Sequence, residues 1–333
     1  MNSTLASEYG GHGLGTDAAG NQHLLWLLAA VGEADLSLAC LFEQHLSAVL
    51  FLQKYGTVAQ VRTVSEELKL GKVFGVWDTD DEENPVHICE SRLSGRKLFA
   101  AGAGRITIPL VTARDPNGAT RAFLLRSNRI SYWINPQHSR LVGIRDAISH
   151  SVVLAHAMVD RNDEVGPPDS WLFQPQAAER LLRRCAVRAG GLRALSVLAR
   201  NHVKQGAAGD PLQRHRLAEI LLDTEGAFAW LERASAVSFR QNTNGDDVAA
   251  FMEMARSAIE RAIERAIHTA QHLLGTVASL SGSPAAEIIL DLVADGPFFH
   301  ADQALDNVGT AAIAGKITIG TFIDAAEAAA PSA

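Results

Sequence analysis

Between Asp247 and Leu274, apolar residues return at three-to-four spacing: Phe251, Met254, Ala258, Ile259, Ala262, Ile263, Ala266, Ile267, Ala270 and Leu273. That period builds one continuous stripe on a helix, whereas on a strand the same residues would scatter over both faces. The opposite face carries Arg and Glu. The many alanines keep the stripe thin and let a second helix approach closely, so the segment belongs in a four-helix bundle or at a subunit interface.

The rest of the chain divides by the same test of period. From Asn21 to about Leu70 the pattern is helical, with Leu24, Leu27, Leu28 and Val31 on one face. A second run, Leu38, Leu41, Phe42, His45, Leu46 and Val49, begins after a capping residue, Asp35. From Lys72 to about Glu164 the helical period gives way to short β-rich runs, Val73 to Trp77, Arg105 to Val111 and Ala122 to Leu125, with a turn at Asp115-Pro-Asn-Gly118. Gly166-Pro167-Pro168 punctuates the chain, and amphipathic helices fill it from Gln176 onward. The expected fold class is α+β, mainly α: helices in 1–71, a small antiparallel β-barrel or sandwich in 72–167, and a helical bundle in 168–333. A chain of 333 residues, 47% of them hydrophobic, is long enough to bury cores for two or three domains.

Several short words stand in this framework. Glu8-Tyr9-Gly10-Gly11-His12-Gly13 is followed by Val31 to Leu38, by Tyr55-Gly-Thr57, by Gly143-Ile-Arg-Asp-Ala-Ile-Ser149, and by the exit Val159 to Gly166. Pro211-Leu-Gln213 with Leu217-Ala-Glu219, and Pro284 to Asp291, complete the series. In content and order these words resemble those of the acyl-CoA dehydrogenase family. The resemblance implies that family's layout of N-terminal helices, middle β domain and C-terminal four-helix bundle. In the family the first turn follows several helices; here it stands near the first residue, so the helical entrance reads as shortened.

The resemblance also implies a flavin, FAD, and the residues that would meet it. Trp77-Asp78-Thr79-Asp80 resembles the first half of the family's T-E-P-x-A-G-S-D loop, with Thr79 keeping the hydroxyl. The acidic run from Asp78 to Glu83 replaces the small residues and is a poor neighbour for a pyrophosphate. Gly95 to Gly102 resembles the G-x-K-x-[WF]-[IV]-[TS] strand and also the F-x-S-G form of flavin monooxygenases and oxidases of this fold. Phe99 keeps the aromatic wall, Ala101 has lost the hydroxyl, and Gly102 closes the word. For the pyrophosphate and adenosine, the R-x-x-F-G word is reduced to Lys204, and the Q-x-x-G-G-x-G word to Gln271 and Gly275. Gln213 stands where the P-x-x-x-Q helix has its glutamine.

Family chemistry takes an α-proton from an acyl thioester with a carboxylate, while hydride passes from the β-carbon to the flavin. At the usual place for that base this chain has Phe299-His300. A minority branch carries it in an E-R-L word on the first long helix after the β domain, which Glu179-Arg180-Leu181 matches. Glu179 is thus the candidate base; the competing reading is a glutamate near a helix N-terminus interacting with the dipole. His300 is the candidate for oxygen chemistry in the monooxygenase manner. Three functions follow: α,β-dehydrogenation of an acyl-CoA, with a place in fatty acid metabolism; a flavin-dependent monooxygenase or oxidase; or a scaffold that has lost flavin and base.

Composition narrows the partners. A net charge of -7 and a pI near 5.9 argue against a nucleic-acid surface. Cys40, Cys89 and Cys185 lack ligand spacing and read as buried thiols in a reducing cytoplasm. No run approaches the ~20 apolar residues of a membrane span, and no leader pattern opens the chain. Metal-hydrolase, serine-hydrolase and dinucleotide-loop motifs are absent from the sequence. The expected partners are a homodimer or homotetramer, an acyl-CoA or similar small apolar substrate, and an electron-accepting flavoprotein.

Overall fold

The computed structural model describes residues 18–126, 132–135, 142–147, 149–238, 244–295 and 301–317; the opening Glu8 to Gly13 turn and His300 lie outside them. Three helices come first, α1 (Ala18–Ala34), α2 (Leu36–Tyr55) and α3 (Val58–Lys69). Seven strands follow: β1 (Phe74–Trp77), β2 (His87–Cys89), β3 (Arg92–Ala100), β4 (Ile108–Arg114), β5 (Thr120–Leu124), β6 (Tyr132–Asn135) and β7 (His150–Met158). The chain then returns to helix, with α4 (Gln176–His202), α5 (Pro211–Ser238), α6 (Gly245–Leu274), α7 (Pro284–Ala294) and α8 (Ala301–Ile313).

Local chemistry sets the helix starts. Asp35 Oδ1 accepts the Leu38 N–H at 2.9 Å, which satisfies one of the free donors at the α2 N-terminus. Thr57 and Gln60 exchange side-chain and backbone hydrogen bonds in a capping box that starts α3. On α6 the stripe is buried through Phe251, Ile259, Ile263, Ala266, Ala270 and Leu273, and it shares one core with α1, α2, α4, α5 and α7.

The tightest joint in that core lies between α1 and α4. A Cβ on Gly190 would sit 2.0 Å from the Ala29 carbonyl oxygen, and one on Gly32 would sit 2.2 Å from that of Val187. Two backbones meet there, and only glycine leaves the space.

The sheet runs in the order β1-β4-β2-β3-β7-β6, with β5 paired to β4. It is mixed rather than purely antiparallel: β1 lies parallel to β4, while β2–β3, β3–β7, β4–β5 and β6–β7 are antiparallel. Between β1 and β4 in sequence, β2 also lies parallel to β4, β3 reverses the chain, and β4 runs again in the direction of β1. A core of Val49, Leu52, Val64, Leu68, Phe74, Ile108, Leu110 and Leu124 fixes α2 and α3 on one part of the sheet.

Two further expectations change. Helix α2 is long and apolar enough by length and composition to cross a membrane, although 72% of the qualifying window is buried in the protein core. Its apolar surface packs on α1, α4 and the sheet, more than one face of the helix, which explains its composition. Cys185 is buried, but Cys89 is exposed at the end of β2, a three-residue strand whose burial alternates and leaves every second side chain outside.

Candidate functional site

Ser47, Leu50, Phe51 and Lys54 of α2, and Gln176, Glu179, Arg180 and Arg183 of α4, both follow i, i+3, i+4, i+7 spacing. Each set therefore forms one stripe of its helix. The two stripes, with Tyr55 and Ser238, line a cavity of about 390 Å³. Glu179 stands in the first turn of α4, its backbone N–H bonded to the Pro175 carbonyl. Its carboxylate charge acts on Tyr55: burial first, and then Glu179, push the phenol above its ordinary pKa. The Tyr55 hydroxyl donates to Gln176 Oε1 at 3.1 Å.

The cations of this cavity are not equivalent. Arg183 donates from Nε and Nη2 to Ser47 Oγ at 3.3 and 3.0 Å and lies 3.6 Å from Glu43, with both charged side chains buried. Burial raises the Glu43 pKa, an effect opposed by the Arg183 charge. Arg180 instead lies flat over the Trp171 ring, 3.8 Å from its centroid, and donates to the Trp171 carbonyl at 2.8 Å. The Trp171 indole N–H in turn donates to Asp78 Oδ2 at 3.2 Å. Burial drives the Arg180 pKa down to about 10 against the attraction of Asp78. Asp78 directly follows β1, so the cavity wall is joined through Arg180, Trp171 and Asp78 to the loop that carries the Thr79 word.

That loop handles its acidic run internally. Fully buried Lys97 reaches Asp80 Oδ1 at 2.6 Å and Thr112 Oγ1 at 2.9 Å, and Arg96 pairs with Asp81. Burial lowers the Lys97 pKa while Asp80 raises it. Asp78, Asp80 and Asp81 are therefore each committed to a partner, which moderates the repulsion expected from the sequence. Trp77 and Ala101 meet directly, the indole N–H donating to the Ala101 carbonyl at 3.2 Å with both residues buried. Phe99 sits at a bulge of β3 with φ 51 and is 40% exposed. Thr79 is exposed. Gly102, with φ 68, donates its N–H to the Ala147 carbonyl at 2.6 Å and has Leu41 and Ile106 where a side chain would go.

The remaining predicted contacts lie elsewhere. Lys204 is exposed in a π-helical segment after α4, and Gln271 is exposed in the last turn of α6. Gly275 ends α6 at φ 58, ψ -132, a conformation that side-chain-bearing residues resist, with open space where a Cβ would stand. Gln213 Oε1 is buried without a hydrogen-bond partner among the described residues. The strand that carries Phe99 packs on β7, β1 and β2, while α6 packs on α4, α5 and α8, so the two groups are not brought together within one chain. Were a flavin bound, Phe99 would offer an aromatic face for its ring, and Gln213 and Gly275 an acceptor and an open turn for a hydroxylated, phosphate-bearing tail, from separate elements of the chain.

Scaffold words converge more closely. Gln60 donates from Nε2 to the Asn162 and Glu164 carbonyls at 2.8 and 2.7 Å, tying the word after α2 to the exit from the sheet. Asp291 Oδ1 accepts the Ile144 N–H at 2.6 Å, and a Cβ on Gly143 would lie 2.2 Å from the Leu290 carbonyl oxygen. Sequence reasoning missed Trp171 and Asp78 as members of one site with Arg180, because their link is a stacking geometry with no sequence period; Lys54 lies on the helical stripe of α2 and was overlooked.

No family model matches the sequence, and no curated protein is similar to it at the sequence level. Solved structures do match. A ternary complex of TdsC from Paenibacillus sp. A11-2 with FMN and indole has a TM-score of 0.79 at 18% identity, covering 96% of this chain and 89% of that one. Butyryl-CoA dehydrogenase from Megasphaera elsdenii has a TM-score of 0.78 at 16% identity, covering 93% and 89%. Methanesulfinate monooxygenase MsuC from Pseudomonas fluorescens has a TM-score of 0.77 at 17% identity, covering 96% and 88%. The chain therefore has the fold shared by acyl-CoA dehydrogenases and by flavin monooxygenases built on the same scaffold.

Proposed function

We propose that the chain is a flavin-dependent oxidoreductase that dehydrogenates a small acyl compound, with Glu179 as the base. The observation that carries this reading is the cavity itself: it places the E-R-L carboxylate in a lined pocket whose wall connects, through Arg180, Trp171 and Asp78, to the loop after β1. A bound flavin would supply a two-electron, hydride-accepting group. The protein's own part is to orient the substrate between the α2 and α4 stripes and to take the α-proton on the Glu179 carboxylate. The substrate loses one proton and one hydride as a C=C bond forms, so charge and electrons balance.

Phe99, with Trp77 and Ala101 behind it, would face the ring, and Gln213, Gln271, Gly275 and Lys204 would hold the tail across a subunit contact. The guanidinium fork and paired glycines of the family are missing from the tail side, which favours FMN over FAD. Solved structures of this fold carry FMN in TdsC and FAD in PigA, so the choice rests on the missing fork and glycines. Purified protein incubated with each flavin and desalted should retain absorbance at about 450 nm, more with FMN than with FAD. A protein that stays colourless with both would end this reading.

A monooxygenase function is supported by the Phe99 to Gly102 word and by the monooxygenases of this fold among the solved structures. Under that reading acyl-CoA leaves the flavin oxidised, and only an external reductant followed by oxygen produces turnover.

A further inference from the structure

Two of the three cations that line the cavity, Arg180 and the exposed Lys54, differ from Arg183 in their partners. Arg183 is matched by buried Glu43, but Arg180 and Lys54 form no ion pair among the described residues: Arg180 bonds to a carbonyl and stacks on Trp171, and Lys54 lies over the Tyr55 ring at 5.8 Å. Both line the cavity, together with Gln53, Gln176 and the Tyr55 hydroxyl, so its wall is polar where an acyl chain alone would want hydrocarbon. A guanidinium clamped on its rear face by an indole is pre-organised, because the side-chain entropy of holding it is already spent in the free protein. The single carboxylate on the wall, Glu179, forms no ion pair with either cation among the described residues. Asp78, which is bonded to Trp171 and does not line the cavity, attracts Arg180, and no carboxylate among the described residues lies within ion-pair distance of Arg180 or Lys54.

We infer that the substrate carries a free carboxylate, anchored by Arg180 and Lys54, and that this group stands apart from the carbons that react at Glu179. The inference rests on the proposed function for the identity of the site, but it concerns binding alone. A carboxylate accepts two parallel N–H bonds from a guanidinium, and a phosphate monoester has the same capacity with more charge and bulk. The volume of about 390 Å³ suits a small acid.

The test is calorimetric titration of the full chain, without flavin and again after flavin loading, with propionate, phenylacetate and indole-3-acetate, each against its neutral amide. Inorganic phosphate serves as the competing probe. At least one acid should bind about tenfold or more tighter than its amide. Arg180→Gln should abolish that preference, Arg180→Lys should keep part of it, and Lys54→Met should weaken it several-fold. Acids and amides that bind alike, or not at all, overturn the inference, as does phosphate binding more tightly than every acid. Should Arg180→Gln fail to fold, the acid–amide comparison on the unaltered chain and the Lys54→Met variant still decide the question. Flavin uptake is read separately by absorbance, so a colourless protein that prefers acids refutes the proposed function and leaves the anion site standing.

Discussion

Helix α4 contains two regions built on opposite principles. Its first two turns carry Gln176, Glu179, Arg180 and Arg183 into a cavity, while two turns later Gly190 brings the backbone against α1 with no space for a methyl group. The closed region fixes where the helix lies; the open region uses that fixity to hold charges at a set place. Charge at the open end is tolerated because it is partnered unequally. Arg183 is bound into the protein by Glu43 and Ser47, and Arg180 is held by stacking with no ion pair among the described residues.

The contrast predicts which substitutions damage the fold and which damage only the site. The largest effect is expected from Arg183→Met, which leaves Glu43 buried with its charge uncompensated; chemical denaturation should show a loss of about 3–5 kcal/mol. Gly190→Ala should follow at about 3 kcal/mol, since the added Cβ must push two backbones apart rather than move a flexible side chain. An alanine that is tolerated there would mean that α1 and α4 are not locked together.

The closed region continues on α2, where fully buried His45 accepts the Phe74 N–H on Nδ1 at 3.1 Å and burial lowers its pKa to about 4. Only the neutral ring can accept that bond. Because the folded value lies below the ordinary 6.5, the contribution is complete above pH 6.5 and is lost as pH falls toward 4. Across that window it is worth about 3 kcal/mol. Denaturation midpoints measured across the window should fall more steeply for the unaltered chain than for His45→Gln, and equal slopes would remove His45 from the account. At the small end, Arg62→Ala breaks an exposed pair with Glu66 at 3.6 Å and should change stability by less than about 0.5 kcal/mol.

The same contrast explains what the sequence made legible. Period and punctuation located the helices and strands, because the α6 stripe, the Asp35 cap and the capping box at Thr57 are local signals. Glu179 was legible through its word, and it lines the cavity. The acidic run after β1 reads from sequence as repulsive; Lys97 and Arg96 pair with it through strand register, which no local pattern records. Trp171 stacks on Arg180 through a chain reversal at Pro167-Pro168, so its partner cannot be read from spacing. The parallel pairing of β1 with β4 was hidden for a related reason, since strand direction depends on the intervening hairpin and not on either strand's composition.

The measurement that bears most directly on the central claim is anaerobic mixing of the flavin-loaded protein with acyl-CoA substrates, followed by absorbance at about 450 nm. The account predicts bleaching by the unaltered protein and, for Glu179→Gln, at least about a hundredfold slower bleaching with flavin content unchanged. Bleaching at the same rate in both would contradict the assignment of Glu179 as the base.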